Sequence, residues 1–184
     1  MFWLQRSTID HQWLEIHSQT GIVAEVKVPF CIRRFPKSFD SLDTVHSWLK
    51  DTERRLVKLK AYQLVSMRSY ASSVLLSKLM ERGYARSVCL DVVDELKALG
   101  YVQDEEFAKG LVLREFAKGY GPRYIEMKLK SIGLSSDLVA QLITPSMQRK
   151  KMMDLKNKWG EKAQIQKFIR RGFDLQIAIE ILSK

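Results

Sequence analysis

Cysteine is scarce in this 184-residue chain, and its two occurrences, Cys31 and Cys89, fall in different segments. Two such residues build neither a disulfide framework nor a zinc site of ordinary spacing, and they suit a reducing cytoplasm. Histidine is nearly as rare. His11, His17 and His46 all precede residue 53, which leaves the remainder without an imidazole for acid–base work. No apolar run approaches the roughly 20 residues of a membrane span. The opening MFWLQRSTIDHQWL is broken by Arg6 and Asp10 too early for a signal peptide. Phosphate-binding loops, Gly-rich dinucleotide turns and His-Glu metal motifs are missing. Asp104-Glu105-Glu106 fit the first turn of a helix, where the dipole favours carboxylates, better than a metal site. The expectation is a cytoplasmic protein that is not an enzyme, with no catalytic residues, no cofactor, no metal and no membrane partner.

What is present is a fifteen-residue pattern written three times: LMERGYARSVCLDVV (Leu79 to Val93), LKSIGLSSDLVAQLI (Leu129 to Ile143) and FIRRGFDLQIAIEIL (Phe168 to Leu182). Aligned on Gly83, Gly133 and Gly172, the copies share an apolar residue four before the Gly (Leu79, Leu129, Phe168) and one after it (Tyr84, Leu134, Phe173). Five, nine and ten after it come Val88, Val92, Val93; Leu138, Leu142, Ile143; and Ile177, Ile181, Leu182. A repeat of this length marks a helical array, in which each unit buries its apolar face by stacking on a neighbour. Leu79, Leu129 and Phe168 should each be buried against the helix that follows the Gly. Such arrays present extended surfaces to large partners.

This surface is basic. The net charge is +10, and up to residue 52 Lys/Arg and Asp/Glu cancel, six against six. Residues 53–103 carry nine Lys/Arg against five Asp/Glu, 104–143 six against six, and 144–184 ten against four. The outer repeats are therefore basic and the middle one neutral, a field that favours a polyanion such as nucleic acid or an acidic protein groove.

The period of the pattern divides the chain. His11 to His17 and Ile22 to Val28 read as strands joined by the turn Ser18-Gln19-Thr20-Gly21, with Ile22, Ala24, Val26 and Val28 on one face. Pro29 should end the second strand, Pro36 sits in a loop, and Ser41 caps a short helix containing Val45, Trp48 and Leu49. From about Thr52 the period is helical. Leu56, Leu59, Leu64 and Met67 predict a first helix of about four turns, followed by helices from Ala71 to Arg82 and Arg86 to Leu99. Asp104 is read as the cap of the next helix, Gly121-Pro122 and Thr144-Pro145 as helix openings. The fold class predicted is mainly α: three tandem three-helix repeats at 53–103, 104–143 and 144–184, after a small N-terminal β-hairpin segment at 1–52.

The candidate binding residues are cations. Lys78, Lys128 and Lys167 stand five before each Gly, and four residues on, along the same flank, come Arg82, Ile132 and Arg171. Stacked repeats would align them in a row suited to a polyanion lattice. Arg68, Arg114, Lys118, Arg123, Lys156, Lys158 and Arg170 complete the set. Trp159, beside Gly160, is either a base-stacking residue or a core anchor.

Met67-Arg68-Ser69-Tyr70 with LLSKLMERGY, LKALGYVQDEEFA from Leu96 to Ala108, and GPRYIEMKLKSIGL from Gly121 to Leu134 together resemble the RecX family, bacterial regulators of the RecA recombinase. The likeness runs from about Ala61 to Leu182, and the N-terminal hairpin resembles an extension of some members. Two positions depart from the pattern: Ala71 stands where a capping Ser is common, and Val74 where a Glu is frequent. The resemblance implies a curved all-α array lying in the groove of the RecA–DNA filament. It also implies inhibition of ATP hydrolysis, strand exchange and co-protease activity, with roles in DNA repair, recombination and the SOS response. The partners expected are the RecA filament and, weakly and without sequence preference, single- and double-stranded DNA; the protein itself is expected to be a monomer. A different reading of the same residues is a non-specific DNA-binding helical-repeat protein acting on the phosphate backbone.

Overall fold

The computed structural model describes residues 1–9, 13–27, 35–160 and 164–183. The chain is mainly helical, with a small antiparallel sheet at its N-terminus, and it divides into two compact units, Met1–Val102 and Gln103–Lys184.

In the first unit, β1 (Trp3–Arg6), β2 (Trp13–Ser18) and β3 (Gly21–Lys27) pair in that order. The sequence pattern foretells β2 and β3 but not β1, which pairs Leu4 with Ile16 and Arg6 with Leu14. Leu4, Leu14 and Ile16 are buried against Phe39, Val45 and Leu49, with Ala24 and Val26 beside them. Ile22 does not join that face. A bulge at Ile16/His17 leaves Val23 unpaired, so Ile22 pairs with His17 and is 57% exposed. His11, Val28, Pro29 and Cys31 lie outside the described residues.

The two helices expected on either side of residue 52 are one: α1 runs unbroken over Leu42–Met67. Nothing between Lys50 and Arg55 stops a helix, since the stretch holds neither Gly nor Pro. Ser41 caps it as expected, accepting from the Thr44 N–H (3.2 Å) while the Thr44 hydroxyl accepts from the Ser41 N–H (3.1 Å). The buried face also differs from the expected stripe. Val45, Leu49, Thr52, Val57 and Ala61 point inward, whereas Leu59 and Met67 are 60% and 82% exposed.

Helices α2 (Ser72–Met80) and α3 (Arg86–Ala98) complete this unit. Leu75, Leu79, Val88, Cys89, Val92, Val93 and Leu96 close around Val57 and Ala61 of α1. Ala71 and Ala85, the residues before α2 and α3, offer no side-chain cap. The Glu53 carboxylate substitutes at α3, accepting from the Ala85 N–H at 2.7 Å. Glu95 of α3 accepts from Lys58 and Arg54 of α1. The Lys58 hydrogen bond, with Arg54 behind it and against the effect of burial, holds the Glu95 carboxyl below its usual range. Burial pushes the Cys89 thiol up to about 11, and the Glu53 charge adds to this.

The second unit has two clusters. Helices α4 (Asp104–Ala117), α5 (Pro122–Ser131) and α6 (Asp137–Leu142) enclose Leu111, Val112, Ile125, Leu129, Val139 and Ile143. Helices α7 (Pro145–Trp159), α8 (Ile165–Arg170) and α9 (Leu175–Leu182) enclose Met152, Phe168, Phe173, Ile177 and Ile181. Phe116 packs on both. Gln103, not Asp104, is the residue before α4, so the three carboxylates fill the first turn itself. Leu79, Leu129 and Phe168 are fully buried with residues of the following helix, as expected. After α5 and α8 the residue beyond the Gly donates its N–H back to them: Leu134 to the Leu129 carbonyl (3.0 Å), Phe173 to that of Phe168 (3.1 Å). The Gly between takes φ of 72° and 80°, which lets the chain turn at once into the next helix.

Candidate functional site

Two glycines organise a group of cations in the second unit. Gly121, at the start of α5, and Gly172, after α8, meet backbone to backbone. The Gly121 N–H donates to the Arg171 carbonyl (2.7 Å) and the Arg123 N–H to the Gly172 carbonyl (3.1 Å). A Cβ on Gly121 would lie 2.5 Å from the Gly172 carbonyl carbon, and one on Gly172 would lie 2.3 Å from the Tyr124 nitrogen. No side chain fits at either position, and this closeness brings the end of α4, the start of α5 and the α8–α9 turn into one clasp.

Arg171 spans the clasp. Its guanidinium donates to the carbonyls of Gly119 (3.2 Å) and Lys118 (3.4 Å), and Lys151 of α7 donates to that of Ala117 (2.8 Å). Two cations thus satisfy carbonyls at the C-terminal end of α4, the negative end of its dipole. The same guanidinium stacks on Tyr120 (5.5 Å) and Trp159 (5.2 Å). Tyr120 stacks on Tyr124 at 4.1 Å, the Lys128 ammonium lies 5.9 Å from the Tyr124 ring, and Lys167 lies 5.3 Å from Trp159. The result is a row of alternating cations and rings, each half-buried. Every ring already has a cation or another ring against it, which leaves little open ring face for a base. Trp159 packs on Phe168 (5.0 Å) at the edge of the third core, so it is the anchor of the two roles its sequence position allowed.

Glu115 is the counter-charge beneath the row. It is 4% exposed and accepts from Lys118 (2.9 Å) and Lys128 (3.1 Å). Burial alone would push its carboxyl up; the hydrogen bonds from Lys118 and Lys128 outweigh that and hold it below the usual carboxylate range. Arg123 pairs with Asp174 at 3.7 Å, and Asp174 itself caps α9 through the N–H groups of Gln176 (2.9 Å) and Ile177 (3.3 Å).

The clasp therefore gathers Lys118, Arg123, Lys128, Lys167 and Arg171. The other candidates lie elsewhere. Lys156 is half-buried and donates to the Ile181 carbonyl (2.8 Å). Arg114, Lys158 and Arg170 are exposed on α4, α7 and α8. In the first unit Arg68 stacks on Tyr70 (4.7 Å), Lys78 is half-buried near the end of α2, and exposed Arg82 sits in the turn that follows. Neither Lys78 nor Arg82 forms an ion pair among the described residues, in contrast to the stacked Lys167 and Arg171. Sequence reasoning missed Tyr120, Tyr124 and Glu115. The run Gly119-Tyr120-Gly121-Pro122-Arg123-Tyr124 was the available signal, since small residues beside rings and an Arg mark close backbone approach. Among the described residues no three His, Cys, Asp or Glu side chains come together as a metal site, and no helix is long and apolar enough to cross a membrane.

No family model matches the chain. A protein of Legionella pneumophila (strain Corby) named Regulatory protein RecX is 29% identical over 83 residues, 45% of this chain; the match spans only about half, 55%, of that relative's length. A Regulatory protein RecX of Thermotoga petrophila is 28% identical over 152 residues, 76% of this chain and 94% of the relative. One of Mycolicibacterium vanbaalenii is 22% identical over 169 residues, 80% of this chain and 90% of its own. Among solved structures, a crystal structure of regulatory protein RecX superposes with a TM-score of 0.69 over 99% of this chain and 98% of its own, at 14% identity. The crystal structure of RecX from Lactobacillus salivarius gives 0.61 over 72% of this chain and 96% of its own, at 17% identity. Relatives of one name match most of its length and solved structures of that name share its fold, so the chain is similar to the RecX family of regulatory proteins.

Proposed function

We propose that this protein regulates the RecA recombinase by binding the RecA–DNA filament, and that it inhibits ATP hydrolysis, strand exchange and co-protease activity without chemistry of its own. The observation that carries the reading is the match to proteins named Regulatory protein RecX across three quarters of the chain or more. The charge distribution supports it, because a surface with a net excess of ten cations suits a partner made of protein and phosphate together. In this reading the helices act as three tandem repeats, 53–103, 104–143 and 144–184, in a curved array behind the segment 1–52. The array lies in the filament groove as a cytoplasmic monomer. Arg68, Lys78, Arg82, Arg114, Lys118, Arg123, Lys128, Lys156, Lys158, Lys167, Arg170 and Arg171 contact phosphates or carboxylates, and the protein has a weak, sequence-independent affinity for single- and double-stranded DNA.

The test is a titration of RecA ATPase activity on single-stranded DNA. Inhibition is expected at amounts of protein well below those that coat the DNA. Inhibition only at coating amounts favours the second reading, a non-specific DNA-binding protein, to which the cation-rich clasp of the second unit lends support.

A further inference from the structure

The clasp joins two clusters that are poorly equipped to fold apart. Each spans about 40 residues, the size at which a single hydrophobic core stops sustaining a fold by itself. Their helices are short as well: α6 and α8 have six residues each, α9 has eight and α5 has ten. Helices of that length owe their stability to packing rather than to their own hydrogen bonds. Each cluster therefore needs a neighbour, as the units of a stacked array do.

The joint between them is made of backbone. The Gly121 and Arg123 N–H groups donate to the Arg171 and Gly172 carbonyls at 2.7 and 3.1 Å, two bonds that depend on no side chain. Side chains then close the joint from both clusters. Arg171 donates back to the Gly119 and Lys118 carbonyls, Lys151 to that of Ala117, and Phe116 packs in both cores. Opening one cluster while the other stays folded would break these five hydrogen bonds and strip Phe116 from one of its cores. By composition alone, Gly119, Gly121 and Gly172 suggest a hinge. The geometry says otherwise: Gly121 has φ of −88°, which any residue adopts, so its missing side chain serves closeness and not freedom of turn. A hinge has few contacts to lose, and this joint has many.

We infer that the second unit opens and closes as one cooperative body, with the Gly121–Gly172 contact as a locked joint and Arg171 as the positioning residue that holds it. The lock fixes the spacing at which the cations of α5 and those of α8 meet a partner, so that both engage together. The spacing claim rests on the proposed function and deepens it; the lock itself does not depend on that reading.

Gly121→Ala tests the lock with every charge kept. Its methyl group would lie 2.5 Å from the Gly172 carbonyl carbon and must part the joint. Gly110→Ala is the control, on an exposed site of α4 where a Cβ meets nothing within 4 Å. Arg171→Lys is the milder variant if Gly121→Ala does not fold, since it keeps the charge and loses the planar fork that reaches two carbonyls. Amide hydrogen exchange is followed residue by residue in low denaturant. In wild type and Gly110→Ala, the Gly121 and Arg123 amides should open with the slowest amides of α4 and α7. In Gly121→Ala or Arg171→Lys, the two clusters should differ in exchange by roughly tenfold or more. Wild-type Gly121 and Arg123 amides that exchange well ahead of both cores make the joint a hinge and overturn the inference, and so do variants whose clusters still open together.

The spacing claim is read from affinity for RecA filament assembled on single-stranded DNA, in matched salt. Gly121→Ala should bind several-fold more weakly, Arg171→Lys less so, and Gly110→Ala like wild type. Unchanged affinity in both joint variants overturns that claim. Wild-type protein that binds filament no better than bare DNA sinks the proposed function and the spacing claim with it, while the exchange pattern still decides the lock.

Discussion

Gly83 and Gly172 hold the same place in the repeated pattern and take nearly the same backbone angle, φ of 83° and 80°. Their surroundings differ completely. A Cβ on Gly83 would meet nothing within 4 Å, whereas one on Gly172 would be driven into the Tyr124 backbone. The first glycine ends a helix and no more. The second also lets two helical clusters of its unit approach backbone to backbone. The cations beside them diverge in the same way: Lys78 and Arg82 form no ion pair among the described residues, while Lys167 and Arg171 are stacked on Trp159. Equal sequence positions thus carry a local duty at Gly83 and a joining duty at Gly172.

The sharpest way to break that comparison is to add one methyl group at each glycine. Gly172→Ala combines overpacking with left-handed strain and should destabilise by about 2–5 kcal/mol. Gly83→Ala should lose only the strain, about 1–2 kcal/mol. Urea unfolding of the two variants checks the difference, and equal losses would mean the clasp is not a tight joint.

Glu115→Gln removes the counter-charge under Lys118 and Lys128. A loss of about 1–3 kcal/mol at neutral pH is expected, at the lower end if solvent screens the partly exposed lysines. The pH dependence has a definite sign. A carboxyl held below its unfolded value of about 4.3 stabilises the fold above that value, and loses the contribution as pH falls through its folded value. Wild type and variant should therefore converge in stability on acidification, and a gap that stays constant down to about pH 3 would remove Glu115 from the account.

Arg171→Ala deletes two carbonyl caps and two ring contacts, and about 1–2 kcal/mol should follow in thermal melting. Smallest of all is Lys78→Glu/Arg82→Glu, expected to stay within about 0.5 kcal/mol of wild type. If these two residues touch DNA phosphates, removing each of them should still lower the log–log salt slope of binding by roughly 0.7–0.9. A stability loss here as large as that of Arg171→Ala would erase the contrast between the two units.

How far the sequence could be read follows from how local each cause is. Ser41, Thr144 and the Gly-to-helix turns act within three or four residues, and their effects were legible. The apolar residues four before each Gly were legible too, because the pattern is written three times. The unbroken course of α1 was not, since nothing marks residue 52 except a change of period. The spacing of Leu59 and Met67 imitates a buried stripe that Val57 and Ala61 supply instead. β1 is a four-residue strand with little alternation of its own, visible only through its pairing with β2. The clasp was out of reach, because glycine leaves no hydrophobic signal and Gly121 and Gly172 lie in different helical clusters.

Cys89 gives the first unit a clock. Its thiol is fully buried, and burial pushes its pKa up to about 11, which keeps it protonated at neutral pH. An alkylating reagent can reach it only when α3 parts from α1 and α2, so in a chain carrying Cys31→Ser the labelling rate measures how often that core opens. Followed with and without added RecA filament, it would test whether that partner changes the opening of the first unit, using a sulfur atom the protein already carries.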